Sequence, residues 1–416
     1  MSAVIFENAQ VFDGLADTLT PAHVLVEDGV IREMSDTPIR RAGAERLDVA
    51  GRTLMPGLID AHVHSYCAEV DPAKSDRMPM TLVAHRARRM LEASAARGFT
   101  SVRDCGGGDR GLFQALDRAW IRGPRLFYCG KALSQTGGHG DARPRFETCA
   151  CGQLHEAGYE GHLSRTVDGP DNLRIAVREE LRQGASFIKI MGSGGVASPT
   201  DPIHLAQYSA EEIRAVVDEV ERHEVYVTAH VHPDAALRRC IELGVHCIEH
   251  GTLISAETAR LAAERDVAVV PTLAVIKSLA QYGAEMGFPK ASLDKLAEIE
   301  PVAIGAVERL KRAGARIGFG TDLIGPLDRH QCLEFSLRRE VLSPFEILKS
   351  ATSVNADILR AGDRLGRVAE GYLADLIVVD GNPLDDLGLF HEDGRNVPVV
   401  MKAGVFLKGE PRAFPG

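Results

Sequence analysis

Two histidines one residue apart, in Asp60-Ala61-His62-Val63-His64, are the densest chemical signal in the chain. On an extended strand alternate side chains share a face, so His62 and His64 point the same way and can offer two imidazoles to one cation. Taken alone, such a pair fits a hydrogen-bonded core couple at least as well. Four further positions shift the balance towards metal. Thr228-Ala229-His230-Val231-His232, Ile248-Glu249-His250-Gly251 and Gly320-Thr321-Asp322 each close a short apolar run, and Lys189 stands between Ile188 and Ile190 near the end of another. An ammonium in a strand buried on both faces is costly unless it is paired or neutralised. A neutral amine beside cations can take up carbon dioxide, and the carbamate it forms is a carboxylate able to bridge two metals.

Those residues converge only if parallel strands carry them to one mouth. Eight apolar runs alternate with amphipathic stretches between residues 57 and 356: 58–61, 100–103, 125–128, 187–190, 225–228, 247–249, 268–271 and 316–319. Alternation of this kind makes βα units, and eight of them close a (β/α)₈ TIM barrel whose strand C-termini share one face. The capping-box pair Ser209 and Glu212 marks where a loop ends and the helix after the fourth run begins. Short β-branched runs punctuated by Asp13-Gly14 and Asp28-Gly29 occupy the start, and 374–380 and 399–405 repeat that texture near the end. The expectation is a barrel over 57–356 and a small β-sandwich domain formed by 1–56 with 357–416. The aperiodic connection 137–170, rich in Gly, Cys, His and Arg, reads as an active-site loop.

Composition fits an enzyme of this size. With 45% hydrophobic and 25% charged residues the chain is globular, and a formal charge of −10, without a basic stripe, argues against nucleic-acid binding. It has no long apolar run and no leader-like start, so a cytoplasmic protein with no membrane partner is expected. The eight cysteines lack disulfide-scaffold spacing and read mostly as buried thiols; Cys149-Ala150-Cys151 with His155 matches no zinc motif and reads as an inert loop.

The order HxH, Lys, His, His, Asp over runs one, four, five, six and eight resembles the amidohydrolase superfamily, in its branch with a carboxylated lysine and two zinc ions. Flanking text, including 167–170, 187–196, 198–201 and 371–375, is similar to prolidase-like and Xaa-Arg/Lys dipeptidases and to ochratoxin-hydrolysing members. The resemblance spans essentially the whole chain. It implies that His62, His64 and Asp322 hold the more buried Zn²⁺ and His230 and His250 the more exposed one, with carbamate-bearing Lys189 bridging them; other divalent metals are alternatives. A hydroxide shared by the metals would attack an amide carbonyl, and Asp322 would pass its proton to the leaving amine. His139 and Tyr208 resemble substrate-contacting residues of the family, and His232, on the face of His230, is expected behind the metal or against substrate.

The implied activity is release of a C-terminal amino acid from Xaa-Pro or Xaa-Arg/Lys dipeptides or from N-acyl amino acids. Alternatives are hydrolysis of a bulky aromatic amide such as ochratoxin A, and cyclic-amide hydrolysis of the imidazolonepropionase kind, which uses one metal and leaves Lys189 without a task. A non-enzymatic scaffold would have lost ligands, whereas all six positions are filled. Barrels of this family assemble, so a homo-oligomer is expected. Gly192-Ser193-Gly194-Gly195 lacks the lysine of a phosphate loop and reads as a tight turn. Arg103-Asp104 reads as an ion pair at the barrel mouth.

Overall fold

The computed structural model describes residues 3–144, 159–198 and 200–409. Seven parallel strands form the wall of a barrel: Leu58–Val63, Phe99–Asp104, Arg125–Tyr128, Ile188–Met191, Val227–Pro233, Cys247–Leu253 and Ala268–Val270. Neighbours pair in sequence order, as with Asp60 beside Val102, Ile188 beside Val227 and Cys247 beside Ala268. The third strand reaches the fourth through the Ser186 N–H on the Tyr128 carbonyl, 2.8 Å, and through Ala132–Ser134, where Leu133 faces Ile190. Ser164–Thr166, inside the stretch read as loop, is a short strand on the outer edge of Ala132–Ser134.

The eighth position departs from the expected strand. Residues 316–320 make a single bridge, Ile317 with Val269, and otherwise join their neighbours by isolated bonds. The Gly318 N–H donates to the Val269 carbonyl and the Ala61 N–H to the Phe319 carbonyl, both 2.9 Å, and the Asp322 N–H donates to the His62 carbonyl, 2.8 Å. Buried Asn355 completes the seam: its Oδ1 accepts from the Phe319 N–H at 3.0 Å, and its Nδ2 donates to the carbonyls of Ile59 and Phe319 at 2.7 and 2.8 Å. The backbone here lies too close to its neighbours for side chains: a Cβ on Gly320 would sit 2.5 Å from Val270 Cγ1 and 2.9 Å from His62 Cβ.

Helices cover the barrel with apolar stripes. In Ala210–Arg222 the Ser209/Glu212 capping box fixes the start, and Ile213, Val216, Val217 and Val220, at helical spacing, pack with Ile188 and Ile190. Burying those two isoleucines outward turns Lys189 between them towards the barrel axis.

Strands from both ends of the chain share one eight-stranded sheet, ordered 405–408, 399–402, 376–379, 53–56, 3–11, 20–27 and 30–35, with Glu45–Asp48 also paired to Ala3–Val11. Leu376 pairs with Pro56, immediately before the first barrel strand, so this sheet anchors the start of the barrel. Its side chains bury on both faces: Val4 and Phe6 join Leu376 and Met401, while Ile5 packs with Leu25 and Ile39. Six described cysteines are free and buried. Cys149, Cys151 and His155 lie outside the described residues. Among those residues no helix is long and apolar enough to cross a membrane.

Candidate active site

His62, His64, Lys189, His230, His232, His250 and Asp322 all line one cavity at the C-terminal ends of the barrel strands. Strand alternation delivers the pairs: the rings of His62 and His64 lie 5.2 Å apart, and those of His230 and His232 4.8 Å apart. His250 and Asp322 need more than alternation. Both have left-handed backbones, φ 69° and 54°, a conformation costly for residues with a Cβ and common where function holds it in place. At His250 that turn lets two consecutive residues face the axis: Glu249 reaches His62, while the His250 ring stands 4.6 Å from His230.

Hydrogen bonding shows what the centre can accept. His62 Nδ1 donates to Glu249 Oε2 at 2.6 Å, and His64 Nδ1 donates to the Gly106 carbonyl at 3.1 Å. Each ring, when neutral, therefore turns a bare Nε2 inward, towards the Asp322 carboxylate. His62 Nε2 and His64 Nε2 are 3.3 Å apart, and they lie 3.4 and 3.2 Å from Asp322 Oδ1. With His64 neutral, three acceptors converge with no donor among them, a set suited to a cation; without one, a proton on His64 Nε2 can bond Asp322. Their spacing matches atoms bound about 2.1 Å from one tetrahedral ion, which lie about 3.4 Å from each other.

The titration of the site follows the same logic. Burial lowers the His62 pKa to about 4 and that of His232 to about 3, and it takes His230 and His250 well below the ordinary value. These rings are neutral and available as ligands. Burial also opposes charge on His64, but the hydrogen bond to Asp322 and its charge outweigh that and raise the His64 pKa. Burial would push Asp322 up, yet the two histidines hold its pKa at about 2, so it is a carboxylate at any working pH. Lys189 is 1% exposed and makes no hydrogen bond or ion pair with the described residues.

A second layer fixes the rings. His250 Nδ1 meets Thr272 Oγ1 at 2.8 Å, and His232 Nδ1 meets Thr252 Oγ1 at 3.1 Å. His139, from the loop after the third strand, stacks on His230 with ring centroids 4.0 Å apart, and its Nδ1 lies 2.8 Å from Ser198 Oγ and 3.6 Å from Asp201 Oδ2. Lys295 Nζ, from the helix Lys290–Ile299, donates to the carbonyls of Gly195 and Ser198 at 2.9 and 2.8 Å and pairs with Asp201 at 3.6 Å. Lys295 thus ties down the end of the glycine turn and the residues after it, Val196 to Ser198, which line the cavity. A Cβ on Gly195 would lie 2.3 Å from His139 Cε1 and 2.6 Å from His230 Nε2.

Tyr208 does not join this group. Its hydroxyl donates to the Val167 carbonyl at 3.0 Å, and it is absent from the residues lining the cavity. Arg103 and Asp104, expected to pair with each other, diverge because neighbours on a strand face opposite ways. Arg103 bonds Glu249 at 2.6 Å inside the barrel, and Asp104 accepts the N–H groups of Ser65, Gly106 and Gly108. Thr272 and Lys295 carried no signal in the sequence; Ser198 and Asp201 lay in the 198–201 text of the family resemblance without a role attached, and Glu249 was marked only by its place directly before a strand-end histidine.

The whole cavity is about 1000 Å³ including its open mouth, and beside the polar cluster it is walled by Val196, Val275, Ile276, Leu279, Leu296, Ile299 and Ile324. Asp76 at its rim accepts from the Tyr159 hydroxyl and, at 2.6 Å, from the His162 N–H.

Comparison with known proteins agrees with this geometry. The amidohydrolase family pattern matches residues 53–407. The ochratoxinase of Aspergillus niger is 33% identical over 414 residues, covering 95% of this chain and 85% of its own. The crystal structure of a prolidase complexed with N-methylphosphonate-L-proline superposes with a TM-score of 0.94 at 43% identity, covering 98% of this chain and all of its own. A Xaa-Pro dipeptidase structure with methionine in its active site reaches a TM-score of 0.87 at 29% identity, again over 98% of this chain. With a barrel whose mouth gathers acceptors suited to a cation, and a family match along most of its length, the protein belongs to the amidohydrolase family and is a hydrolase of amides.

Proposed function

We propose that the chain is a binuclear zinc amide hydrolase that frees the C-terminal amino acid of dipeptides or N-acyl amino acids. The observation that carries this reading is the convergence of His62 Nε2, His64 Nε2 and Asp322 Oδ1 within 3.4 Å of one another, at the floor of a cavity also lined by Lys189, His230 and His250. His62, His64 and Asp322 would hold one ion and His230 and His250 the other, with Lys189, carboxylated by dissolved carbon dioxide, as their common ligand. Bound there, the ions acidify water and polarise a carbonyl.

The protein's own groups do the rest. Asp322, ionised and facing both ion positions, takes the proton of the attacking water and returns it to the departing amine. His139, stacked on His230 and fixed by Ser198 and Asp201, is placed to hold the carbonyl side of the substrate. Tyr208 keeps its hydroxyl on Val167 and supports that loop from behind.

Apolar walls favour a proline, aliphatic or aromatic C-terminal residue over arginine or lysine, because Asp322 serves the ions and Asp76 already accepts from Tyr159 and His162. The same walls support a second reading, hydrolysis of a bulky aromatic amide, in keeping with the similarity to ochratoxinase. Zinc-loaded protein should release amino acid from a panel of Xaa-Pro, Xaa-Arg, Xaa-Lys and N-acyl-Phe compounds, with Asp322→Asn as the blank. Turnover of Xaa-Pro or N-acyl-Phe is expected. Preference for Xaa-Arg or Xaa-Lys would overturn the apolar assignment, and no turnover of any, with both ions bound, would overturn amino-acid release altogether.

A further inference from the structure

The centre rests on a buried ionic column that runs down the barrel axis. Glu249 is completely buried and its oxygens are fully engaged. Oε2 accepts from His62 Nδ1 at 2.6 Å; Oε1 accepts from Arg103 Nη2 at 2.6 Å, from the Thr228 hydroxyl, and from Cys247 Sγ at 3.6 Å. Arg103, equally buried, uses its Nε on the carbonyl of Ala61, 2.6 Å away, and lies over the Phe187 ring at 5.4 Å. One guanidinium therefore grips both the backbone beside His62 and the carboxylate behind its ring.

His62, Cys105 and Glu249 also lie close enough together to suggest a separate metal site. The 2.6 Å separation of His62 Nδ1 and Glu249 Oε2 is that of a charge-assisted hydrogen bond and is too short for two ligands sharing an ion. We infer that Glu249, clamped by Arg103, is a positioning residue that sets which nitrogen of His62 faces the metal and raises that nitrogen's donor strength. This rests on the reading that His62 is a metal ligand. A full negative charge behind the ring strengthens an imidazole ligand, and losing such a partner commonly weakens metal binding 10–100-fold.

The test is zinc affinity, read by competition with a chromophoric chelator, and the visible spectrum of the cobalt-substituted protein. Glu249→Gln keeps the size and an acceptor oxygen but loses the charge; its zinc affinity should fall 10–100-fold with a shifted cobalt spectrum, alongside the lower apoprotein stability expected when buried Arg103 loses its counter-charge. An altered apoprotein stability at unchanged zinc affinity would make Glu249 structural and overturn the inference. In a His62→Ala background, Glu249→Gln should change affinity no further, and an undiminished effect there would show it acting by another route. If Glu249→Gln does not fold, Arg103→Lys, which keeps the charge and loses one of the two grips, should still weaken zinc several-fold; unchanged affinity would again overturn the proposal. His62→Ala alone separates the two readings: if it leaves zinc binding intact the metal site itself is misread, whereas loss with His62→Ala and none with Glu249→Gln refutes only the positioning role.

Discussion

At the scale of single residues the site is a problem in charge and room. Asp322 meets both imidazole nitrogens through Oδ1, and its Oδ2 lies 3.9 Å from His250 Nδ1, so the same carboxylate binds and faces the reacting space. Asp322→Asn keeps a ligand oxygen but cannot carry a proton. It should retain most of its zinc and lose about 10²–10⁴ in kcat, the usual size of general acid–base assistance; parental kcat would assign the proton to another group. Lys189→Ala removes the bridge, and elemental analysis should find both ions depleted together, whereas full occupancy would end the bridging role. Gly195 tests room instead of charge. Because an added methyl would press on His139 and His230 at once, Gly195→Ala should lower kcat/KM by tenfold or more in a protein that still melts cooperatively. An unchanged value would mean that the stacked pair can move aside at no cost.

At the scale of elements, what the sequence shows well is what strand physics repeats. The runs around Ile188, Val227, Ile248 and Val269 are β-branched and bounded by turns, and histidines two apart on such a run must share a face, so the ring of side chains at the cavity could be read directly. What escaped depends on contacts across the barrel or on a backbone that breaks the rule. Arg103 and Glu249 are 146 positions apart and meet only inside the closed barrel. Lys295 belongs to a helix whose own pattern says nothing of the loop it bolts. Tyr208 has a left-handed backbone, φ 53°, and a hydroxyl turned towards Val167, neither of which spacing predicts. The eighth run was readable as apolar but is no strand, because Gly318 and Gly320 trade side chains for close approach and Asn355 supplies bonds a ladder would have made. Asn355→Leu, similar in size, leaves the Phe319 N–H unpaired and removes a donor from the carbonyls of Ile59 and Phe319, the latter keeping the Ala61 N–H, at about 1–3 kcal/mol for a stranded group. A loss of roughly 2–4 kcal/mol in urea unfolding is expected; a loss below about 1 kcal/mol would show the seam closing without it.

For the molecule as a whole, that seam and the ion site are one structure. Between the first strand and 316–320 the barrel closes by isolated bonds, and the cluster of His62, His64 and Asp322, the ion site of the proposed function, joins the ends of the same two elements that Asn355 ties together through Ile59 and Phe319. On the proposed reading, a cation there would be both a chemical centre and a clasp. Linkage sets the scale: free metal at a hundred times Kd stabilises the fold by about 2.7 kcal/mol per site. A 416-residue chain melting with about 2.1 cal/mol/K per residue should then lose roughly 3 °C per ion removed. Chelation should lower the melting temperature by about 6 °C if both ions leave. If the ion clasps the seam, chelation and Asn355→Leu will not act independently, since residues sharing one support couple. In the variant the barrel opens more readily once the clasp is gone, so the drop on chelation should exceed the parental drop by an amount worth about 1 kcal/mol. Equal drops would place the ions on a barrel that closes without them, and would leave them with chemistry alone.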